Sequence, residues 1–297
     1  MERYSWAWVM VLDSSIGIIC SVEKNRLLLA RETRHNRDIQ NQPRRGRTQM
    51  LRFVDAKCMI GRRNAPREGS PVTREDFLEI MDRCHIEKAM AHHAMAVEYD
   101  MMDGNHTLVE ETAGSDRFLR QWCVMPKTFD EFLTPAELVT EMKKKAVKSV
   151  RLQPKTSAYS LYPYAIGKLM EAMAECRVPV FMDAGESTWD GIWQLCTDYP
   201  HNTIVITSPG YRCARQLAPV LAACPNLRVG ISNYVVHGGI ATICRHFGAE
   251  RLLFESGMPV SSAAAAVSLV HYADISREEK ELIAAGNLES LLSEVTL

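Results

Sequence analysis

From Met50 onward the chain alternates short apolar, β-branched runs with longer stretches of helical period, and it does so eight times. The strand candidates are LRFVDA (51 to 56), KAMAHHA (88 to 94), FLRQWCVMP (118 to 126), KSVRLQP (148 to 154), VPVFMDAG (178 to 185), TIVITSPG (203 to 210), LRVGISNY (227 to 234) and RLLFESGMP (251 to 259). The intervening stretches carry helix signals: Thr73 with Asp76 as a capping box before FLEIMDRC, Thr134-Pro135 before AELVTEMKKKA, and YPYAIGKLMEAMAECR halted by Val178-Pro179. Strand followed by helix eight times over predicts a single α/β domain of TIM-barrel type, a (β/α)₈ barrel, over residues 50–297; a doubly wound sheet is the second choice. Chemistry in such a barrel gathers at the carboxyl ends of the strands. That rule points to Asp55, Lys57, His92, His93, Met125, Arg151, Gln153, Asp183, Glu186, Ser208, Tyr211, Asn233 and Glu255.

Residues 1–49 break the pattern. WAWVMVLDSSIGIIC (6 to 20) is apolar, yet it is short for a bilayer span, contains Asp13, and follows Glu2 where an export signal wants basic residues. The arginine-rich stretch from Arg31 to Arg47 lacks the apolar content to bury itself and reads as disordered. This leader is expected to be a dispensable extension or a mis-called start, with the natural product beginning at Met50.

The 297 residues, 46% of them hydrophobic, suffice for one large core. With 35 basic against 36 acidic residues, the net charge of −1 gives no electrostatic reason for a nucleic acid or an acidic membrane as partner. Nine scattered cysteines without a C-x-x-C pair fit reduced thiols, hence a cytoplasmic protein, better than a disulfide frame or a zinc knuckle. Phosphate-cradling glycine loops and Ser-His-Asp spacings are absent, so no nucleotide cofactor is implied.

The phrases FVDAKCMIG, GNHTLVEE, VKSVRLQP, RVPVFMDAGE, NTIVITSPG, RLLFESGMP and EEKELIAAGNLESLL resemble, in order and spacing, the amidohydrolase-related branch of the metal-dependent hydrolase superfamily. The resemblance implies a barrel that hydrolyses C–N, C–O or phosphoester bonds, or decarboxylates or hydrates small carboxylated rings. It also implies metal ligands: His-x-His at 57 and 59, His at 183, His at 208 and Asp at 257. This chain has Lys57, Met59, Asp183, Ser208 and Gly257 there. Only Asp183 retains a hard ligand, so no metal and no other cofactor is expected.

An ammonium at Lys57 can supply part of the charge of a lost ion, with Asp183 as counter-ion across the barrel, or the two can form a structural salt bridge in the vacated space. A lysine so placed is also a Schiff-base candidate. In HHAMA one of His92 and His93 must face the mouth, as proton carrier or as hydrogen-bonded structure, and the other the helices. Arg151 is a candidate anchor for a substrate carboxylate. Glu255 is a displaced base, unless alternation turns it outward; Tyr211, after Gly210, and Asn233 complete the candidate substrate contacts. Cys58 should point away from the mouth. Two functions follow, beside a third reading in which a metal still binds through Asp183, His92 and Glu255. One is a metal-independent enzyme that hydrolyses or decarboxylates a small carboxylated molecule. The other is an inactive barrel that binds or scaffolds, with a homodimer allowed. A catalytic mouth should stand open to Lys57 and Asp183; a dead one should be plugged by Met59, Met125 or Met182.

Overall fold

The computed structural model describes residues 50–297, so the expectations for the leader lie outside the described residues. The compact unit begins at Leu51. Eight strands stand in sequential order: β1 (Phe53–Ile60), β2 (Ile86–His93), β3 (Phe118–Val124), β4 (Val147–Leu152), β5 (Val180–Asp183), β6 (Ile204–Thr207), β7 (Leu227–Gly230) and β8 (Leu252–Leu253). Each pairs with the next in parallel. Helices α1 (Arg74–Arg83), α2 (Ala94–Glu98), α3 (Met101–Glu111), α4 (Pro135–Lys144), α5 (Pro163–Glu175), α6 (Trp189–Asp198), α7 (Ala214–Ala223), α8 (Gly239–Phe247), α9 (Ala263–His271), α10 (Arg277–Glu281) and α11 (Asn287–Ser293) fill the connections and the C-terminus. The fold is the expected (β/α)₈ barrel.

The cap signals act as read. Thr73 and Asp76 form a capping box on α1, and Thr134 starts α4 with Pro135 in its first turn and Glu137 completing a second box. No helix among the described residues is long and apolar enough to cross a membrane.

Two apolar layers hold the barrel. Outward-facing strand residues such as Phe53, Cys58, Ile60, Val150 and Met182 pack under the helices, while Val54, Ala56, Met90, Phe181, Val205 and Leu253 fill the interior. Leu288 and Leu292 of α11 close the amino end of that inner core, and Arg52 binds Glu289 there at 2.6 Å. Each fully buried Phe or Leu side chain contributes about 2–3 kcal/mol by leaving water.

Between β8 and β1 the seam is sparse. It is bridged by Ala56 N–H donating to the Phe254 carbonyl and Met59 N–H to the Met258 carbonyl, both at 2.9 Å. β8 is only two residues long, because the Phe254 N–H is taken by the Ile283 carbonyl at 2.8 Å. Beside the seam, β1 carries a bulge: Asp55 pairs with Ala89 but Cys58 with Ala91, so three steps on β1 match two on β2.

Candidate active site at the barrel mouth

The bulge decides where Lys57 points. Strict alternation would put Lys57 on the face opposite Ala56; the extra residue instead lets both turn inward, while Cys58 faces the helices as expected. The Lys57 Nζ lies 2.8 Å from both Asp183 carboxylate oxygens and 2.8 Å from Ser208 Oγ. These contacts use all three N–H donors of an ammonium. Arg151 approaches the same carboxylate from β4, its Nη1 2.8 Å from Asp183 Oδ1 and its Nε 2.8 Å from Gln121 Oε1. Thr207 also donates to Asp183. Residues from β1, β4, β5 and β6 thus meet at one carboxylate, which only the barrel interior permits.

Electrostatics follow from this crowding. Burial pushes Asp183 upward, but the charges of Arg151 and Lys57 outweigh it and hold the carboxyl well below the usual carboxylate range. His92 is buried, and burial together with the Arg151 and Lys57 charges drives its pKa well below the usual imidazole range, so it is neutral. Glu255 faces inward, settling the ambiguity of alternation: its Oε1 accepts from Ser208 N–H at 2.6 Å and Ser232 N–H at 3.0 Å. Burial raises its pKa, against the pull of Lys57. Space for its carboxyl exists because position 230 is glycine; a Cβ there would lie 2.3 Å from the carboxyl carbon.

A cavity of about 200 Å³ opens at this point, lined among others by Lys57, Met59, His92, Arg151, Gln153 and Asp183. Lys57 and Asp183 keep 13% and 37% of their side chains exposed, so the mouth is not plugged. Met59 forms part of its wall, Met125 lines a separate chamber, and Met182 is buried under the helices.

Other predicted residues stand elsewhere. His93 faces the helices: its Nδ1 accepts from Met95 N–H at 3.1 Å as the cap of α2, and its Nε2 lies 3.3 Å from Glu111. Tyr211 is 62% exposed beneath the Arg212 guanidinium, and Asn233 is exposed at a left-handed φ of 60°; neither lines the cavity. Sequence reading gave no role to Gln121, Thr207 or Ser232, which hold the charged groups in place; only inward parity along β3 and β6 marks the first two. Among the described residues, no three His, Cys, Asp or Glu side chains converge as a metal cage would require.

The amidohydrolase family model matches residues 66–292. The chain belongs to the amidohydrolase family. The match starts beyond β1, the strand that carries Lys57. No curated protein matches the sequence. Among solved structures, this family member is similar to 5-carboxyvanillate decarboxylase of Novosphingobium aromaticivorans with bound manganese, at 14% identity, TM-score 0.69, covering 84% of this chain and 99% of that one. It is also similar to 2,6-dihydroxybenzoate decarboxylase of Rhizobium, at 14% identity, TM-score 0.63, covering 82% and 99%. A third is a protein from Staphylococcus aureus that is named as an amidohydrolase, at 11% identity, TM-score 0.66, covering 82% and 100%. At these identities the likeness establishes a shared fold.

Proposed function

We propose that this amidohydrolase-family chain is an enzyme that binds a small carboxylated molecule in the barrel mouth and hydrolyses or decarboxylates it without a metal ion. The observation that carries the reading is a set of unpartnered buried polar atoms on residues lining one cavity: Arg151 Nη2, His92 Nδ1 and Gln153 Oε1. Buried polar atoms without partners are costly, and a ligand bearing an acidic oxygen and a neighbouring polar group supplies what they lack. Lys57 and Arg151 both hold Asp183 at the centre of the cavity beside His92, and Arg151 keeps one nitrogen, Nη2, unpaired for a substrate carboxylate.

The donor set does not suit a divalent ion. An ion bound to Asp183 would compete with an ammonium and a guanidinium, each 2.8 Å from that carboxylate. In this reading Lys57 and Arg151 stabilise the negative charge that develops on the reacting group. His92, facing the mouth, exchanges the proton. Two relatives in fold are named as decarboxylases, which favours loss of carbon dioxide from a carboxylated ring over hydrolysis.

The alternative is a barrel that binds such molecules without turning them over. It is favoured by the saturation of Asp183, which takes hydrogen bonds from Lys57, Arg151 and Thr207 and so has little capacity left as a base. Calorimetric titration of chelator-treated protein with benzoate and hydroxybenzoates, followed by assays for carbon dioxide release and for lactone and amide cleavage, separates the two. Binding that is lost in Arg151→Met, with turnover, supports the enzyme; binding without turnover supports the alternative. Binding or turnover that requires added manganese or zinc would overturn metal independence.

A further inference from the structure

The geometry points to Asp55 as the residue that aims Lys57 into the mouth, a positioning role that rests on the proposed function of that site. Asp55 is fully buried and lies at the β8–β1 seam. Its Oδ1 accepts from the backbone N–H of Lys57 at 3.0 Å and from that of Ser256 at 2.8 Å, and its Oδ2 accepts from the Ser256 hydroxyl. The Lys57 amide belongs to the bulged stretch between Asp55 and Cys58, where the ladder to β2 slips by one residue. A carboxylate two residues upstream on the same strand therefore ties down the amide of the residue whose side chain must turn inward.

The same carboxylate ties β1 to the segment after β8. Ser256 in turn accepts from the Met258 N–H at 3.1 Å, so the chain leaving β8 is fastened to β1 next to Lys57. A buried carboxylate is an expensive way to join two strands when an amide or hydroxyl would do. Its use here is explained if the Lys57 backbone must be held against the tendency of the bulge to relax, which would swing Nζ off Asp183 and Ser208. Glu255 is the charged group that acts on Asp55, whereas Arg151 and Lys57 are the charges that act on Asp183.

The test follows the Lys57 ammonium directly, by ¹H–¹⁵N correlation of lysine side chains in the full chain, with the signal assigned through Lys57→Ala. An ammonium held by three acceptors is protected from exchange and visible. Asp55→Ala should abolish that signal and weaken benzoate binding by about tenfold or more, as loss of a supporting partner does elsewhere. Asp55→Asn, which keeps an oxygen for the two N–H groups, should restore both. In the Lys57→Ala background, Asp55→Ala should cause no further loss of benzoate affinity, since the two act through one group. Should Asp55→Ala not fold, Asp55→Ser, too short to reach the Lys57 amide, takes its place. An unchanged Lys57 signal in the Ala or Ser variant, or losses that add in the double variant, would overturn the role of Asp55. If the unaltered protein binds no carboxylate probe, the functional reading fails, while the Lys57 signal still decides whether Asp55 aims the side chain.

Discussion

Lys57 on β1 and Asp183 at the end of β5 are 126 positions apart in sequence, yet one amine reaches both carboxylate oxygens at 2.8 Å. That contact occupies two positions where the family resemblance places metal ligands. It makes the centre of the mouth a set of linked charges, and its consequences can be measured.

Lys57→Met should destabilise the protein by about 1–3 kcal/mol, because Asp183 keeps Arg151 and Thr207 but loses two of its hydrogen bonds at a partly exposed site. Urea unfolding with an unchanged m-value would confirm a local effect. A variant as stable as the parent would mean that the pair contributes nothing to the fold.

Asp183 sets the acid limit. Its folded pKa is depressed, so its contribution is present above the unfolded value of about 4 and is lost as pH falls toward the folded one. Stability measured from pH 5 down to pH 2 should therefore drop, and Asp183→Asn should flatten that limb. An equally steep limb in the variant would assign the effect to other carboxylates.

Asp55 behaves in the opposite sense. Burial raises its pKa to about 7, against the hydrogen bonds from Ser256 and Lys57, so the folded state favours the protonated form. Its contribution is fully present below the unfolded pKa and is lost as pH rises through about 7. Asp55→Asn should gain about 1–3 kcal/mol relative to the parent at pH 8, and less at pH 5. A difference independent of pH would refute this.

Gly230→Ala should cost about 1–3 kcal/mol, since the new Cβ would meet the Glu255 carboxyl at 2.3 to 2.7 Å on a strand with little room to shift. Combining it with Glu255→Ala should recover much of the loss, which thermal unfolding of the four proteins in the cycle would reveal. Additive losses would show that the clash lies elsewhere.

Residue order alone carried the barrel. Eight apolar runs with helices between them admit few layouts, and Thr73, Asp76 and Thr134 mark helix starts by chemistry that is local in sequence. The Lys57 and Asp183 pairing was legible through the family resemblance, which sets both residues at positions where metal ligands would converge. Side-chain direction at short strand ends was not. His92 and His93 are equivalent in sequence, and only the placement of α2 and α3 gives His93 a cap to make and leaves His92 facing the mouth. Tyr211 and Asn233 follow strands as the site residues do, but the chain turns outward after β6 and β7 and leaves both in solvent.

The sequence by itself determined the alternation of elements, the family and the absence of the expected histidines at 57, 59, 183 and 208, because these depend on residue identity and local period. Tertiary structure decided the bulge that turns Lys57 inward, the seam at which Asp55 holds it, and the space at Gly230 that admits Glu255. Each of these is settled by which atoms from distant strands compete for the same few cubic ångströms, and no local pattern along the chain encodes that competition.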